Sequence, residues 1–458
     1  MLLPFGFTAS LAVAGNGSND KICHSASGNQ RNCTTTTVGA TSTTGSTTTT
    51  GTSTTDPATT TAATTTTAAT TTTAATTTTA ATTTTATTTT TATTTTTATT
   101  TTSTTPIGTL LPAALPLSSG QAYYVNGTTG SDTNQGSLTA PFRTIEHALG
   151  VATAPGSSVY VQDGTYGSGD TTSYHWAAQG TAAAPITLSA DTGAHPVLAK
   201  LFVLTGSDLR VTGFKIVRNK YPTDTRFGQS GSSPGGSVGI WLNGCSSCQL
   251  DHNEITGQTE SGAFVSGSDS VRLLANWIHD NGTTHDDHGV YFCSGKDGLV
   301  ANNVISHNYD YGLQLYCGTT YPVNPVITAN TVVYNGTVGS GGSGMVLEAQ
   351  NAQVWNNVVA FNVEFGIRGW SPGSGTISLN DVYGNPAGAY YGVTSSYSVA
   401  GTMVDNPRFV DGAAGNYRLQ ATSPAIGAAS FPFSPARDRD DISRPSGSAP
   451  DVGAYEYH

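Results

Sequence analysis

The sequence predicts an all-β fold, a right-handed single-stranded parallel β-helix, from a repeat, an alternation and a ladder. Glycines at Gly239, Gly262, Gly289, Gly312, Gly344 and Gly366 recur every 22 to 32 residues, the period of a solenoid. Each glycine opens a short run in which alternate residues are apolar. Later in each coil an asparagine holds one fixed place, at Asn253, Asn276, Asn303, Asn330, Asn357 and Asn380.

In chain order, residues 1–14 are mostly apolar and end in Ala12-Val13-Ala14, which reads as a signal peptide lacking its positive n-region. Residues 15–33 form a short segment carrying Cys23 and Cys33. Residues 34–110 are almost wholly threonine and alanine, with no apolar period and too little buriable surface to offset the entropy of ordering. The expectation is a disordered Thr/Ala-rich stalk of the composition that carries O-linked sugar. Residues 120–400 are assigned to the β-helix and 401–458 to a C-terminal cap.

Composition narrows function. Only 10% of the 458 residues are charged, the net charge is -11, and there are 54 glycines. No basic stripe is available to displace counterions from phosphates, so nucleic acid is excluded as a partner. No run of about 20 apolar residues predicts a membrane span. A secreted or cell-surface monomer is expected.

The first strand of each coil alternates: Ile240 and Leu242, Ala263 and Val265, Val290 and Phe292, Leu313 and Leu315, Met345 and Leu347 are apolar. A second strand follows, read as continuous through Leu250 to Ile255 and its counterparts. Its asparagine is expected to supply the left-handed backbone of a sharp corner and to hydrogen-bond along the axis. A second ladder runs five residues on, through Asn281, Asn308, Asn335, Asn362 and Asn385. Coils this short leave no room for a crossover helix, and the rule for parallel crossovers makes the solenoid right-handed.

The six cysteines fall into local pairs, and an exported chain favours disulfides over metal. Cys23 pairs with Cys33, and Cys245 with Cys248 across a turn. Register sets Cys293 and Cys317 on adjacent coils, about 4.8 Å apart and within disulfide reach.

Over about residues 120 to 455 the chain resembles the pectate-lyase-like family of right-handed parallel β-helix proteins. The stretches Tyr123 to Asp132, Pro141 to Ile145 and Val159 to Tyr166 look like the opening segment of such proteins. Phe142, Ile145, Leu149 and Ala152 share one face of a short helix that would cover the first coil. Asn406 to Phe409, Ser423 to Gly427 and Pro450 to Glu456 resemble the closing segment of bacterial surface β-helix proteins. The family's calcium-binding aspartates have no residue-by-residue counterparts here, and the three-aspartate signature of β-helix polygalacturonases is absent.

Function must use outward residues. Trp241, Tyr291, Gln314, Tyr316 and Trp370 offer aromatic platforms and hydrogen bonds suited to sugars, although outward aromatics also pack beneath loops. His285, Asp286, Asp287 and His288 form the densest polar cluster, with Asp310 on the next coil close by. Two carboxylates between two imidazoles suit a hard cation such as calcium, positioning of water, or a proton held near neutrality; turn-forming aspartates are the plainer account. Glu348 and Arg368 face outward on neighbouring coils, as a surface salt bridge worth about 0–1 kcal/mol or as chemistry on a substrate carboxylate. The resemblance implies that Arg368 takes a proton there. The expectation is a polysaccharide-directed protein, leading as a lyase on an acidic polymer; a non-catalytic glycan-binding or adhesive protein and a glycoside hydrolase or uronate epimerase are the alternatives.

Overall fold

The computed structural model describes residues 111, 113–116, 120–168, 173–218, 238–339 and 341–458, with the backbone of two short strands, Ile22–His24 and Asn32–Thr34. Those two pair antiparallel with Cys23 opposite Cys33. The signal-peptide segment, the Cys23–Cys33 bridge and the Thr/Ala tract otherwise lie outside the described residues.

From residue 120 to about 400 the chain winds through three parallel sheets. Sheet A has nine strands, from Tyr174–Trp176 to Gly388–Tyr391; sheet B has eleven, from Ala122–Val125 to Tyr397–Ala400; sheet C has eight, from Thr165–Tyr166 to Val358–Ala360. One coil passes through Ile240–Asn243 in sheet A, Gln249–Asp251 in B and Glu254–Thr256 in C, then re-enters A at Ala263–Ser266. Inward residues stack coil on coil. Val211, Leu250, Leu273, Val300, Ile327, Val354 and Ile377 form one register file in sheet B, and Ile216, Ile255, Ile278, Ile305, Val332 and Val359 another in sheet C; all are fully buried.

The second strand of each coil is two strands, not one. The chain bends between Asp251 and Glu254, and the left-handed residue there is His252 (φ 54°), the neighbour of Asn253 rather than Asn253 itself. The same holds at Ala275, Asn302, Ala329, Asn356 and Leu379, each just before a ladder asparagine. The asparagines instead turn their amides inward and bond axially: Asn303 Nδ2 donates to Asn330 Oδ1 at 3.0 Å, and Asn330 Nδ2 to Asn357 Oδ1 at 2.9 Å. The second ladder repeats this, as in Asn308 Nδ2 to Asn335 Oδ1 at 2.9 Å. It also explains the repeating glycine, because a Cβ on Gly289 would lie 2.6 Å from Asn308 Nδ2 and 2.6 Å from the Gly312 carbonyl.

Helix α1 (Ile145–Val151) closes the N-terminal end. Thr144 caps it, its hydroxyl accepting from the His147 N–H at 3.2 Å. Phe142, Ile145, Ala148, Leu149 and Ala152 are buried in the core.

The C-terminal segment corrects an expectation. It does not close the far end; it lies along the outward face of sheet C. Phe409, Tyr417, Leu419, Ala425, Val452 and Ala454 bury against Val304, Val333, Val358 and Ala360. The strands beneath, Val304–Ser306, Thr331–Val333 and Val358–Ala360, are apolar on both faces and need that cover. A buried Arg444–Glu456 pair at 3.2 Å and Asp438, whose carboxylate accepts from the Asp440, Ile442 and Glu456 N–H groups, hold the segment together. Ala389, Tyr390, Val393 and Tyr397 pack on the last layer of the core.

Both expected disulfides among the described residues are formed. Cys245–Cys248 lies in the core at the bend between sheets A and B, and Cys293–Cys317 joins adjacent coils with Cα atoms 4.7 Å apart. Among the described residues no helix is long and apolar enough to cross a membrane.

Candidate functional site

Pairing in sheet A sets Trp241 beside Phe264, Phe264 beside Tyr291, Tyr291 beside Gln314, Gln314 beside Val346, Val346 beside Arg368 and Arg368 beside Tyr391. The rings touch in sequence, Trp241 to Phe264 at 5.6 Å and Phe264 to Tyr291 at 5.2 Å. Two residues on, Tyr316 and Trp370 meet edge to face at 5.9 Å. Trp241, Tyr291, Tyr316, Arg368 and Trp370 are half-buried, whereas Phe264, Gln314 and Val346 are buried. The face is therefore an aromatic platform partly roofed by its neighbours.

The His285 to His288 loop rises at the mouth of this face, and its members have different occupations. The Asp287 carboxylate accepts from the Thr283 N–H (2.9 Å), the Thr284 N–H (2.6 Å) and the Thr284 hydroxyl (2.9 Å), the bonding of a turn. Burial still raises its pKa against those bonds. Asp286 has a left-handed backbone (φ 93°) and donates its N–H to Asp310 Oδ2 at 3.2 Å. His285 Nδ1 lies 3.0 Å from the same oxygen. His288 is fully buried against the Tyr291 and Tyr311 rings, 4.9 and 5.2 Å away, with Nδ1 3.8 Å from Asp310 Oδ2 and no hydrogen bond at either nitrogen. Burial pushes its pKa down to about 4, so it is neutral at physiological pH.

Arg368 does not pair with Glu348. It bonds Glu364 at 3.0 Å and the Tyr311 hydroxyl at 3.3 Å, with its guanidinium 5.1 to 6.0 Å from the Tyr391, Phe365, Trp370 and Tyr311 ring centres. A guanidinium so held is a fixed cation. Arg368 follows Glu364 by four residues, and Glu364 stands directly before the strand Phe365–Gly369 that carries Arg368. Glu348, beside Tyr316 and Trp370, is only 8% exposed and has no hydrogen bond to its carboxyl among the described residues; burial raises its pKa to about 7. Tyr316 links the two halves: partial burial, then Glu348, then Asp286 raise its pKa. The structure thus brings His285, Asp286, His288, Tyr291, Gln314, Tyr316, Glu348, Arg368 and Trp370 to one face. It assigns Asp287 to a turn and leaves Trp241 at the far end, bonded through Nε1 to Ser266 Oγ at 2.8 Å.

Sequence reasoning missed Tyr311, Glu364 and Glu260. Counting back from the repeating glycines would have found them. One residue before the last five of them stand Ser261, His288, Tyr311, Ser343 and Phe365; two before stand Glu260, Asp287, Asp310, Gly342 and Glu364. Four of the five in the second file are carboxylates, along the platform's edge. Burial, reinforced by Asp287, raises the Glu260 pKa to about 7.

Among the described residues no three of His, Cys, Asp and Glu converge on a common point, and Asp287, Asp310 and Glu364 are each turned to a partner of their own.

Coil path, register and site together define a right-handed parallel β-helix protein with the pectate-lyase-like fold. The model of the right-handed β-helix region matches residues 202–382, and that of a protein of unknown function, DUF1565, matches residues 128–176. Among solved structures, pectate lyase Pel9A is similar at 17% identity, covering 75% of this chain and 98% of its own, with a TM-score of 0.54. A lacto-N-biosidase of family GH136 from Eubacterium ramulus (13% identity, 62% and 68% covered) and an alginate lyase from Paenibacillus sp. FPU-7 (16%, 57% and 96%) reach TM-scores of only 0.39 and 0.35. No curated protein matches the sequence.

Proposed function

We propose that this protein binds a polysaccharide along the outward face of sheet A and hydrolyses it with Glu348 as the proton donor. The observation that carries this reading is the state of Glu348: a carboxyl with a pKa raised to about 7 by burial, on an aromatic platform beside Tyr316 and Trp370. A carboxylic acid that keeps its proton near neutrality is what protonation of a glycosidic oxygen requires. Tyr291, Tyr316 and Trp370 supply ring faces for sugars, and Gln314 a hydrogen-bonding amide. Secretion accords with the two disulfides, which persist in oxidising surroundings.

Charge selects the substrate. Asp286, Asp310 and Glu364 edge the platform, and Arg368 is already matched by Glu364. A polyanion meets like charge there, so a neutral glycan is the better occupant. Elimination from a uronate polymer is the second reading, favoured by the fixed guanidinium of Arg368. The Thr/Ala tract favours a third, a tethered glycan-binding protein without turnover.

The test is incubation of the full chain with neutral and uronate polysaccharides, with and without calcium, following new reducing ends and the ultraviolet absorbance of unsaturated product. The expected result is reducing ends without absorbance, reduced about 10²-fold or more in Glu348→Gln. Absorbance would select elimination; binding without product would select the tethered binder. Undiminished cleavage by Glu348→Gln would remove Glu348 from the reaction.

A further inference from the structure

We propose that Tyr397 is a positioning residue for Glu348: its hydroxyl, bonded to the carbonyl that precedes Glu348, is the post on which the Trp370 to Ser374 turn is seated over Glu348. This rests on the hydrolytic reading above and names what keeps its proton donor buried.

The place Glu348 occupies is not a buried one by nature. Along the same register file Asn243 is exposed and Ser266 and Tyr316 are half-buried, yet Glu348 is 8% exposed. What differs is the bend of the following coil, residues 370–374, which lies directly on it. Gly373 makes the contact: a Cβ there would lie 2.9 Å from Glu348 Cα and 2.7 Å from the Trp370 carbonyl oxygen, and would strike the Tyr397 hydroxyl. Turn, phenol and the Glu348 backbone therefore meet with no room for a methyl group.

Hydrogen bonds fix each part. Tyr397, buried at the last layer of the core, donates its O–H to the Leu347 carbonyl at 2.9 Å. The Trp370 N–H reaches the same carbonyl at 2.9 Å, so the residue before Glu348 is bonded both to the turn and to the phenol. Within the turn the Gly373 N–H donates to the Trp370 carbonyl at 2.7 Å, and the Ser374 N–H ties its end to the Ala349 carbonyl at 3.0 Å. The Ser396 hydroxyl donates to the Gly373 carbonyl at 2.8 Å. Ser396 and Tyr397 are neighbours in sequence, so one short segment grips the turn from outside and braces it from below.

Few charges surround Glu348. Tyr316 and Tyr397 are the titratable side chains that feel it, and burial first, then Glu348, raises the pKa of each. Both phenols are neutral at physiological pH, and Arg368 is turned to Glu364. Exclusion of water, not a neighbouring charge, is therefore what favours the protonated form of Glu348. Loosening the turn admits water and returns the carboxyl toward its ordinary range. Tyr397 touches no substrate in this scheme; it acts through Glu348.

The experiment compares wild type with Tyr397→Phe, Gly373→Ala and Glu348→Gln. Glutamate carboxyl groups are labelled with carbon-13 and titrated by NMR without substrate, the Glu348 signal being the one missing from Glu348→Gln. In Tyr397→Phe and Gly373→Ala, Glu348 is expected to titrate about one pH unit or more below wild type. On the glycan that wild type cleaves best, the alkaline limb of the pH–rate profile is expected to move down with it. In Tyr397→Phe this lowers kcat at pH 7 about fivefold and leaves KM within about twofold, because the rings of Tyr316 and Trp370 are untouched. A Tyr397 that served packing alone would lower the melting temperature without moving the titration. An unchanged Glu348 titration in either variant overturns the proposal while leaving Glu348 in its role; either variant suffices if the other fails to fold. A wild-type Glu348 that titrates in the ordinary carboxylate range overturns both. Absence of cleavage by wild type on every glycan overturns the hydrolytic reading, and the substrate-free titration still decides whether Tyr397 seats the turn.

Discussion

Asn330→Ala tests whether the amide ladders hold the coils together. Asn330 is fully buried. Its Oδ1 accepts from the Asn303 N–H (2.9 Å) and Asn303 Nδ2 (3.0 Å), while its Nδ2 donates to the Val300 carbonyl (2.8 Å) and to Asn357 Oδ1 (2.9 Å). Truncation does not harm these partners equally. Asn303 Nδ2 keeps the Leu273 and Ala301 carbonyls, and Asn357 Oδ1 keeps the Asn330 N–H. The Asn303 N–H is the group left without an acceptor. An orphaned buried donor costs about 1–3 kcal/mol, and the other lost bonds about 1 kcal/mol each where partly replaced, so a loss of about 3–5 kcal/mol is expected. The control is Asn351→Gly, at an exposed left-handed position (φ 53°) whose amide makes one solvent-facing bond to Asn324 at 2.9 Å; about 0.5–1 kcal/mol is expected there. Urea unfolding followed by far-ultraviolet circular dichroism reads both. A loss below about 1 kcal/mol in Asn330→Ala, or one no greater than the control, would refute a load-sharing ladder.

Asp251 is gripped by Arg210 through two bonds of 2.8 and 2.7 Å and by Gln249 Nε2, Thr212 Oγ1 and His252; against its burial these hold the pKa well below the carboxylate range. Its contribution is therefore complete at neutral pH and lost as pH falls below the ordinary carboxylate value, and Asp251→Asn is expected to lose about 3–5 kcal/mol at pH 7 with the gap narrowing in acid. Asp381 is the opposite case, buried with neither oxygen well bonded and a pKa raised to about 7 by burial despite the approach of the Asp405 N–H. The folded state binds the extra proton, so stability falls as pH rises from about 4 through 7, and Asp381→Asn should melt higher than wild type at pH 8 but not at pH 4. Replacing both Cys293 and Cys317 by alanine opens a loop spanning 24 residues and should cost about 3 kcal/mol in urea unfolding under oxidising conditions; an unchanged midpoint would show that the coils are pinned without the bridge.

Most of the solenoid was legible because its repeating constraints act through single residue types. A glycine is forced where a Cβ would strike Asn308 Nδ2, and an asparagine is forced where a buried site needs a donor and an acceptor along one axis. Pairing of Cys293 with Cys317 then followed from counting. The bend at His252 was not legible, because histidine, alanine, asparagine and leucine all occupy that place and side-chain type does not encode it. The docking of the C-terminal segment was half legible. Apolar residues on both faces of Val304–Ser306 and Val358–Ala360 announced a cover, but nothing local named Phe409 and Tyr417 as what supplies it. In the site, the Arg368 to Glu364 bond was not legible, because the outward register offers Arg368 carboxylates on neighbouring coils as well as the one four residues before it. Glu348 kept its place on this face but is not half of an ion pair with Arg368.

The polar interior of this protein divides into two populations. The ladder amides bond along the axis to identical neighbours, so each coil satisfies the one before it and burial costs little. At the mouth of sheet A the pattern fails: both nitrogens of His288 and Oδ1 of Asp310 are buried without hydrogen bonds, and Glu348 and Glu260 hold pKa values near 7. A solenoid that can repeat an amide six times has no structural need to bury an imidazole against a carboxylate at 3.8 Å. Selection for stability alone would replace such groups with apolar ones of similar shape. At the mouth of sheet A several such groups fall together beside a row of aromatic rings and next to the left-handed Asp286, whereas Asp381 stands alone, and that clustering is what the proposed function draws on.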